Sequence, residues 1–336
     1  MRILVFEFIT GGGLIGATVP ATLLLEGGMM RNAVLADLAS IPGIDVTLTR
    51  DSRCPWPDAK LPTRHFEPTI GESGFDLFQR ALVDVEVVWP IAPETGGALA
   101  RLASLAREAG KYLCLSDAET LAICASKYET ASVLQKACVN VVPSFRATDS
   151  LPVIDGEWVS KPDDGVGGAG VMRWPTRDAA LHAILAAKQY SWILQPLCEG
   201  ESLSMSLFCA DGKVTVLSIN QQRVLWRYDQ VVLGTLAVNS IPNTEPNFCA
   251  LARQIVNALP GLWGYIGIDL VRADDGVLTV LEINPRLTTS YCGLREALGV
   301  SVAQLMFGNR KRESSQAISS RQNKLVQLDL SYAHAE

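Results

Sequence analysis

Two short apolar runs on either side of Asp274-Asp275-Gly276 constrain this chain more than any other feature. The first, 265–272, contains Gly267-Ile268-Asp269; the second, 277–283, runs on through Leu281-Glu282-Ile283-Asn284-Pro285-Arg286. Asp-Gly between such runs signals a β-hairpin, and with Asp275-Gly276 as its two-residue turn Asp274 faces Val277. Counting back along both strands then sets Asp269 directly opposite Glu282. Side chains alternate, so Asn284 shares that face, and Ile268, Leu270, Leu281 and Ile283 lie on the other and supply the core. Directly opposed Cβ atoms are about 4.5–5.5 Å apart. Two buried carboxylates that close repel each other unless a divalent cation lies between them. The all-oxygen set Asp269, Glu282 and Asn284, with positions left for water and phosphate, suits Mg²⁺. Arg286, stiffened by Pro285, is placed to neutralise charge on a transferring phosphoryl group. The alternative is a hairpin whose polar face is merely solvated.

A phosphate-binding apparatus is legible elsewhere. Lys161-Pro162-Asp163-Asp164 leads into Gly165-Val166-Gly167-Gly168-Ala169-Gly170, four glycines in six residues. Such a loop lets the backbone approach a ligand and turn N–H groups inward as an anion nest. It is not a Walker A loop, since no Gly-Lys-Ser/Thr follows. Lys127 lies near the start of a helix, where its charge opposes the helix dipole and a phosphate offsets it. In Leu194-Gln195-Pro196-Leu197-Cys198-Glu199-Gly200-Glu201 a strand runs into a short hinge, whose backbone suits an adenine edge and whose carboxylate suits ribose hydroxyls. Taken singly, these read as a hairpin tip, an exposed helical lysine and a strand-to-turn junction.

The remaining periodicity places these pieces in an α/β chain. Strands are expected at 2–8, 44–48, 84–89 (ended by Pro90) and 112–115, and helices at 20–39 and 97–109, an alternation that argues for a small parallel sheet. A helical stretch at 117–138 follows, then strands at 157–161 and 192–196 around a helix at 177–189. Strands at 201–208 and 213–219, a helix at 245–258 and the hairpin complete the pattern. Residues 309–325 read as a loose polar segment, and 325–330 as one edge strand.

Among 336 residues, 48% are apolar and 19% charged, with a net charge of −6. This describes a globular protein and disfavours a nucleic-acid surface, which needs a basic face. No apolar run approaches the ~20 residues that span a bilayer. The apolar opening is short and reaches Glu7 at once, so it reads as a buried strand rather than a leader. Eight cysteines without a C-x-x-C pair suggest buried thiols in a reducing cytoplasm.

In order along the chain, Lys127, Lys161, the glycine loop, the Gln195 hinge with Glu201, Asp269 and Glu282-Ile-Asn284-Pro-Arg286 resemble the ATP-grasp superfamily over roughly residues 116–308. The resemblance implies an ATP-grasp fold, α+β in its nucleotide-binding part, behind a Rossmann-like lobe. It divides the chain into 1–115, a small subdomain 116–190, a large subdomain 191–308 and a polar tail 309–336. It also implies that Lys127 and Lys161 bind ATP phosphates, that Gly165, Gly167, Gly168 and Gly170 close over them, and that Arg286 and Lys161 act in catalysis. Gln195, the Pro196 carbonyl and the Cys198 amide would face adenine, and Glu201 the ribose. Asp269, Glu282 and Asn284 would hold one or two Mg²⁺. The implied chemistry is amide formation from a small carboxylate and an amine through an acyl phosphate; phosphoryl transfer to a non-carboxylate, or nucleotide binding without chemistry, are the alternatives. Nucleic acid and membrane are not expected partners, and a homodimer is compatible.

Phe6–Gly13, Ser218–Arg223 and Asn284–Tyr291 carry a narrower resemblance, to the tyramine–glutamate ligase family. It implies glutamate as the acid, biosynthesis of a methanofuran- or tetrahydromethanopterin-type C1 carrier, and substrate contacts by Gly11, Gly12, Gly13, Arg223, Thr288, Thr289 and Ser290. The same glycines complete Gly11-Gly12-Gly13-Leu14-Ile15-Gly16, a G-x-G-x-x-G match that raises an NAD-dependent oxidoreductase as a rival. Against it, Thr18 as N-cap with Pro20 in the first turn makes the loop too long for a pyrophosphate turn, and no acid ends the second strand.

Overall fold

Ile3, Leu4, Val5 and Phe6 are all fully buried in β1 (Arg2–Glu7), as expected for a parallel strand covered on both faces. Around it, β2 (Asp45–Thr49), β3 (Arg64–Phe66), β4 (Val87–Ile91) and β5 (Tyr112–Leu113) form a parallel sheet in the order β3-β2-β1-β4-β5. The computed structural model describes residues 1–57, 64–187, 191–227, 230–299, 301–307 and 323–330. α1 (Ala21–Ala39) covers the face that carries Ile3 and Val5; α2 (Gly74–Ala81) and α3 (Ala98–Glu108) cover the face of Leu4 and Phe6.

Three local expectations are corrected here. β4 continues through Pro90, which pairs with Phe6. Val88 accepts from Cys114 on the β5 side, so the N–H that Pro90 lacks falls where that ladder is ending. α1 begins at Ala21 with Pro20, not Thr18, at the cap. β3 and α2 are present although no strand or helix was read between 48 and 84; α2 is only eight residues long, and a Ser73–Asp76 capping box opens it.

The helical stretch at 117–138 is two helices, α4 (Ala118–Cys124) and α5 (Lys127–Lys136), because Ser126 caps the second through its Oγ. β6 (Trp158–Pro162), β7 (Met172–Trp174) and β8 (Trp192–Pro196), with α6 (Arg177–Ala186), form a small lobe whose buried cluster, among the described residues, is Trp158, Ala180, Ile184 and Leu194. The larger antiparallel array contains β9 (Glu201–Ala210), β10 (Lys213–Arg227), β11 (Gln230–Ile241), β12 (Gly264–Arg272) and β13 (Leu278–Asn284), backed by α7 (Pro246–Ala258). One bridge, Gln230 to Met172, joins β11 to the small lobe.

The chain ends with α8 (Tyr291–Leu298), α9 (Val302–Phe307) and β14 (Val326–Asp329), which pairs with β11 as the expected edge strand. The expected segment 309–325 lies outside the described residues up to 322. α8, α9 and β11 lie where the sequence pattern predicts no element. Leu294, Leu298 and Val302 share one core with Ile3, Val5 and Leu35, so the parallel sheet and the antiparallel array are welded through α1, α8 and α9. Among the described residues no helix is long and apolar enough to cross a membrane.

Candidate active site

The carboxyl ends of β1 and β4 lie side by side at the point where the strand order reverses, the place where open parallel sheets bind ligands. Loops from both ends, with the antiparallel array opposite, enclose a cavity of about 660 Å³. Phe8, Ile9, Leu14, Leu23 and Met30 give it an apolar lining; Asp269, Glu282, Asn284 and Arg286 line it as well.

Asp269 pairs directly with Glu282, as expected, but by a different route. Ala273 and Val277 close a three-residue loop with Gly276 at φ 85°, so Arg272 pairs with Leu278, one residue out of the expected register. A bulge between Val280 and Glu282 restores it, and Leu281 is the extra residue. Val280, not Leu281, therefore joins Ile268, Leu270 and Ile283 in the core. Asn284 Nδ2 donates to Asp269 Oδ2 (3.1 Å) and Glu282 Oε1 (3.2 Å), and Gln222 Nε2 donates to Asp269 Oδ1 (2.9 Å). Burial, and then the charge of Glu282, push the Asp269 carboxyl up to about 7. Burial also works against the charge of Glu282, but Lys127 and Lys161, with Asn284 and Arg286, together outweigh it and hold that carboxyl low. Adjacent carboxylates that resist joint ionisation form a donor set that fits a hard divalent cation; Asn284 turns its Nδ2 to both of them and its Oδ1 to Arg286 (3.3 Å), so its oxygen would join the set only on a flip of the amide.

Lys127 Nζ lies 3.5 Å from Glu282 Oε2 and also bonds the Gly165 carbonyl. The start of α5 is docked on Asp163, whose carboxylate accepts from Tyr128 N (2.9 Å) and Ser126 Oγ (2.7 Å). Lys161 is buried in β6, and desolvation lowers its ammonium to about 8 against the pull of Glu282. A buried cation of this kind is stabilised by an arriving anion. Gly167, Gly168 and Gly170 take positive φ, and Gly165, Gly167 and Gly170 line the cavity.

Arg286 is not free. Its Nε lies 2.9 Å from both carboxylate oxygens of Glu94, in the loop after β4. Glu94 and Gln222 carried no assigned role in the sequence. The readable signal for Glu94 was its place just beyond the carboxyl end of a parallel strand.

Thr288, Thr289 and Ser290 line the cavity, with Thr289 Oγ1 donating to Glu26 Oε2 (2.5 Å). Gly11, Gly12 and Gly13 are not brought to its wall. A Cβ on Gly11 would lie 2.4 Å from the Glu7 carbonyl and one on Gly13 2.4 Å from the Phe8 ring, while Gly74 packs as closely on Gly12. These glycines fold the loop tightly on itself, and α1 starts five residues beyond Gly16, so the loop is no pyrophosphate cradle. Arg223 is exposed on β10, away from the lining. Gln195 is buried with its amide on Ser144 Oγ (2.7 Å), Pro196 ends β8, and Cys198 follows in the hinge. Glu201 accepts from Gln221 (2.8 Å) and Arg272 Nε (3.0 Å). This hinge group stands apart from the cavity.

A family model described as an ATP-grasp domain matches residues 124–290, and one described as a pre ATP-grasp 3 domain matches residues 44–121. The chain is 25% identical over 314 residues to tyramine–L-glutamate ligase of Methanocaldococcus fervens, covering 93% of this chain and 94% of that protein. An ATP-grasp superfamily protein of Archaeoglobus fulgidus superposes with a TM-score of 0.68 at 22% identity, over 98% of this chain and 99% of that one. The biotin carboxylase domain of Hydrogenobacter thermophilus 2-oxoglutarate carboxylase, solved with MgADP, ADP and bicarbonate, gives 0.68 at 15% identity, over 97% of this chain and 73% of that one.

Proposed function

The chain belongs to the ATP-grasp superfamily, and from that premise we propose that it joins a small carboxylic acid to an amine, forming an amide with conversion of ATP to ADP and phosphate. The observation that carries the reading is the Asp269–Glu282–Asn284 set, with the charges of Lys127 and Lys161 acting on Glu282 and Arg286 lining the same cavity. Asp269, Glu282 and Asn284 would hold Mg²⁺, which when bound supplies charge neutralisation between the phosphates.

The chain's own residues account for the rest. Lys127 and Lys161 bind the phosphates, and the amides of Gly165–Gly170 close over them. The substrate carboxylate attacks the γ-phosphorus, the bond to the ADP oxygen breaks, and Arg286 stabilises the charge on the transferring group. Closure of the loop keeps water from the resulting acyl phosphate. The amine then attacks the acyl carbon, inorganic phosphate leaves, and the amine nitrogen loses a proton. The Gln195–Cys198 hinge with Glu201 would hold adenosine.

The apolar wall from Phe8 to Met30 favours an amine with an apolar body, in keeping with the tyramine named in the relative, and glutamate is the first acid to test. An amide of that kind would serve a C1-carrier coenzyme. The domain division 1–115, 116–190 and 191–308 follows the same reading. Incubation with ATP, Mg²⁺, glutamate and a panel of arylalkyl amines is expected to release ADP only when acid and amine are both present. ADP release with neither, or with the acid alone at the full rate, would reject amide formation.

A further inference from the structure

The loop after β4 reaches across the cleft with three consecutive residues. Glu94, only 7% exposed, meets Arg286 with two 2.9 Å contacts to Nε and one of 2.8 Å to a terminal guanidinium nitrogen. Thr95 Oγ1 donates to the Asp164 carbonyl (2.9 Å), and the Gly96 amide donates to Asp164 Oδ2 (2.8 Å). Gly96 has φ 62° and ψ 19°, a left-handed turn that favours glycine and aims that amide at the glycine loop. Glu94 also lines a small recess with Lys127, Gly165, Glu282 and Asn284, so it touches both sides of the phosphate site.

We infer that Glu94 is a positioning residue that fixes Arg286 for phosphoryl transfer, and that Glu94-Thr95-Gly96 is a clamp binding Arg286 and the glycine loop to one rigid strand end. The inference rests on the reading of Arg286 as the group facing the transferring phosphoryl. An arginine side chain has four rotatable bonds, and a fork-shaped guanidinium is oriented only by a partner that engages more than one of its N–H groups. Besides Glu94, the Arg286 guanidinium donates to Asn284 Oδ1 (3.3 Å) and to the Leu287 carbonyl (3.1 Å), one bond to each; Asn284 is itself committed to the two carboxylates, and Leu287 is the next residue of the chain. Glu94 thus holds the fork, and it does so from an element outside the metal hairpin. Desolvation works against the Arg286 charge, and Glu94, with smaller help from Glu282 and Asp269, more than offsets it.

The test uses the full chain and steady-state ADP release with saturating acid and amine. Glu94→Gln keeps the shape and removes the charge. It is expected to lower kcat by roughly 10²-fold, the scale of a 1 Å misplacement of a catalytic group, while the KM for ATP changes by less than about threefold. In an Arg286→Gln background the same change is expected to lower kcat no further, because Glu94 acts through Arg286. Unchanged kcat in the single variant, or fully additive losses in the double variant, overturns the inference. If a lone buried Arg286 charge unfolds Glu94→Gln, Glu94→Asp carries the test: the charge stays, the reach shortens, and kcat falls at least tenfold with KM for ATP retained. Wild-type kcat in Glu94→Asp overturns it. Absence of turnover in the wild-type chain sinks the ligase reading instead, so the two failures are distinguishable.

Discussion

The hairpin that carries Asp269 and Glu282 and the glycine loop face one cleft and are held in opposite ways. β12 is paired on both sides, to β9 and β13, and Ile266, Ile268, Leu270 and Val280 are fully buried in the core beneath it. The glycine loop hangs from a lobe that, among the described residues, has four in its buried cluster and one bridge to the main sheet. Beyond the docking of Asp163 on α5, its ties to the rest of the cleft include bonds from Lys127 to Gly165 and from Thr95 and Gly96 to Asp164. Ion ligands must be in place before the ion arrives, whereas a phosphate cover must open to admit nucleotide. A dense core under one and a sparse core under the other is the packing consequence.

If the contrast is real, changes in the hairpin's polar face cost chemistry and leave the fold alone. Glu282→Gln keeps the volume, removes one ligand charge and relieves the repulsion with Asp269. Turnover is expected to fall by roughly 10²–10³-fold with no loss of thermal midpoint; ADP release within a few fold of wild type breaks the comparison at its strongest point. Lys161→Met is the next largest. It replaces a desolvated cation by an apolar chain of similar length, so kcat/KM for ATP is expected to drop about 10²-fold while the thermal midpoint holds or rises. A lowered midpoint would mean that Lys161 is paired in the fold rather than kept for a ligand.

The hairpin was largely legible because its information is local: two runs, one turn and a two-residue period place three side chains on one face. Even so, the turn was read one residue too short, and the bulge at Leu281, which sequence gives no means of seeing, cancelled that error at Asp269 and Glu282. Lys127 stands at a helix start as its sequence position suggests; the break at Ser126 has a local part, the Ser126 cap on Glu129 N, and a part no local pattern shows, the docking of Asp163, 37 residues away, on the new N-terminus. Glu94 and Gln222 were silent for the same reason: each acquires meaning only through a partner that the tertiary fold delivers. The short helices α8 and α9 lack the length that makes periodicity readable, and their role in welding α1 to the antiparallel array is a property of the shared core.

Two glycine substitutions sharpen the comparison, because one cost in backbone strain is set down on each side of it. Gly168 has φ 74°, and an added Cβ would lie 3.0 Å from Val231. Gly168→Ala is expected to impair closure, raising KM for ATP about tenfold and increasing ADP release not matched by amide, as water reaches the acyl phosphate. Its urea midpoint should be almost unchanged, since the loop has little core to lose. Gly276, at φ 85° in the hairpin turn, has open space around it, so Gly276→Ala carries only the left-handed penalty, about 1 kcal/mol. That strain falls on the densely packed element. The urea midpoint should drop while kcat and KM for ATP stay within about twofold of wild type, because β9 and β13 hold Asp269 and Glu282 in register from both sides. A kinetic defect in Gly276→Ala as large as that in Gly168→Ala would mean that the hairpin, too, moves in the catalytic cycle.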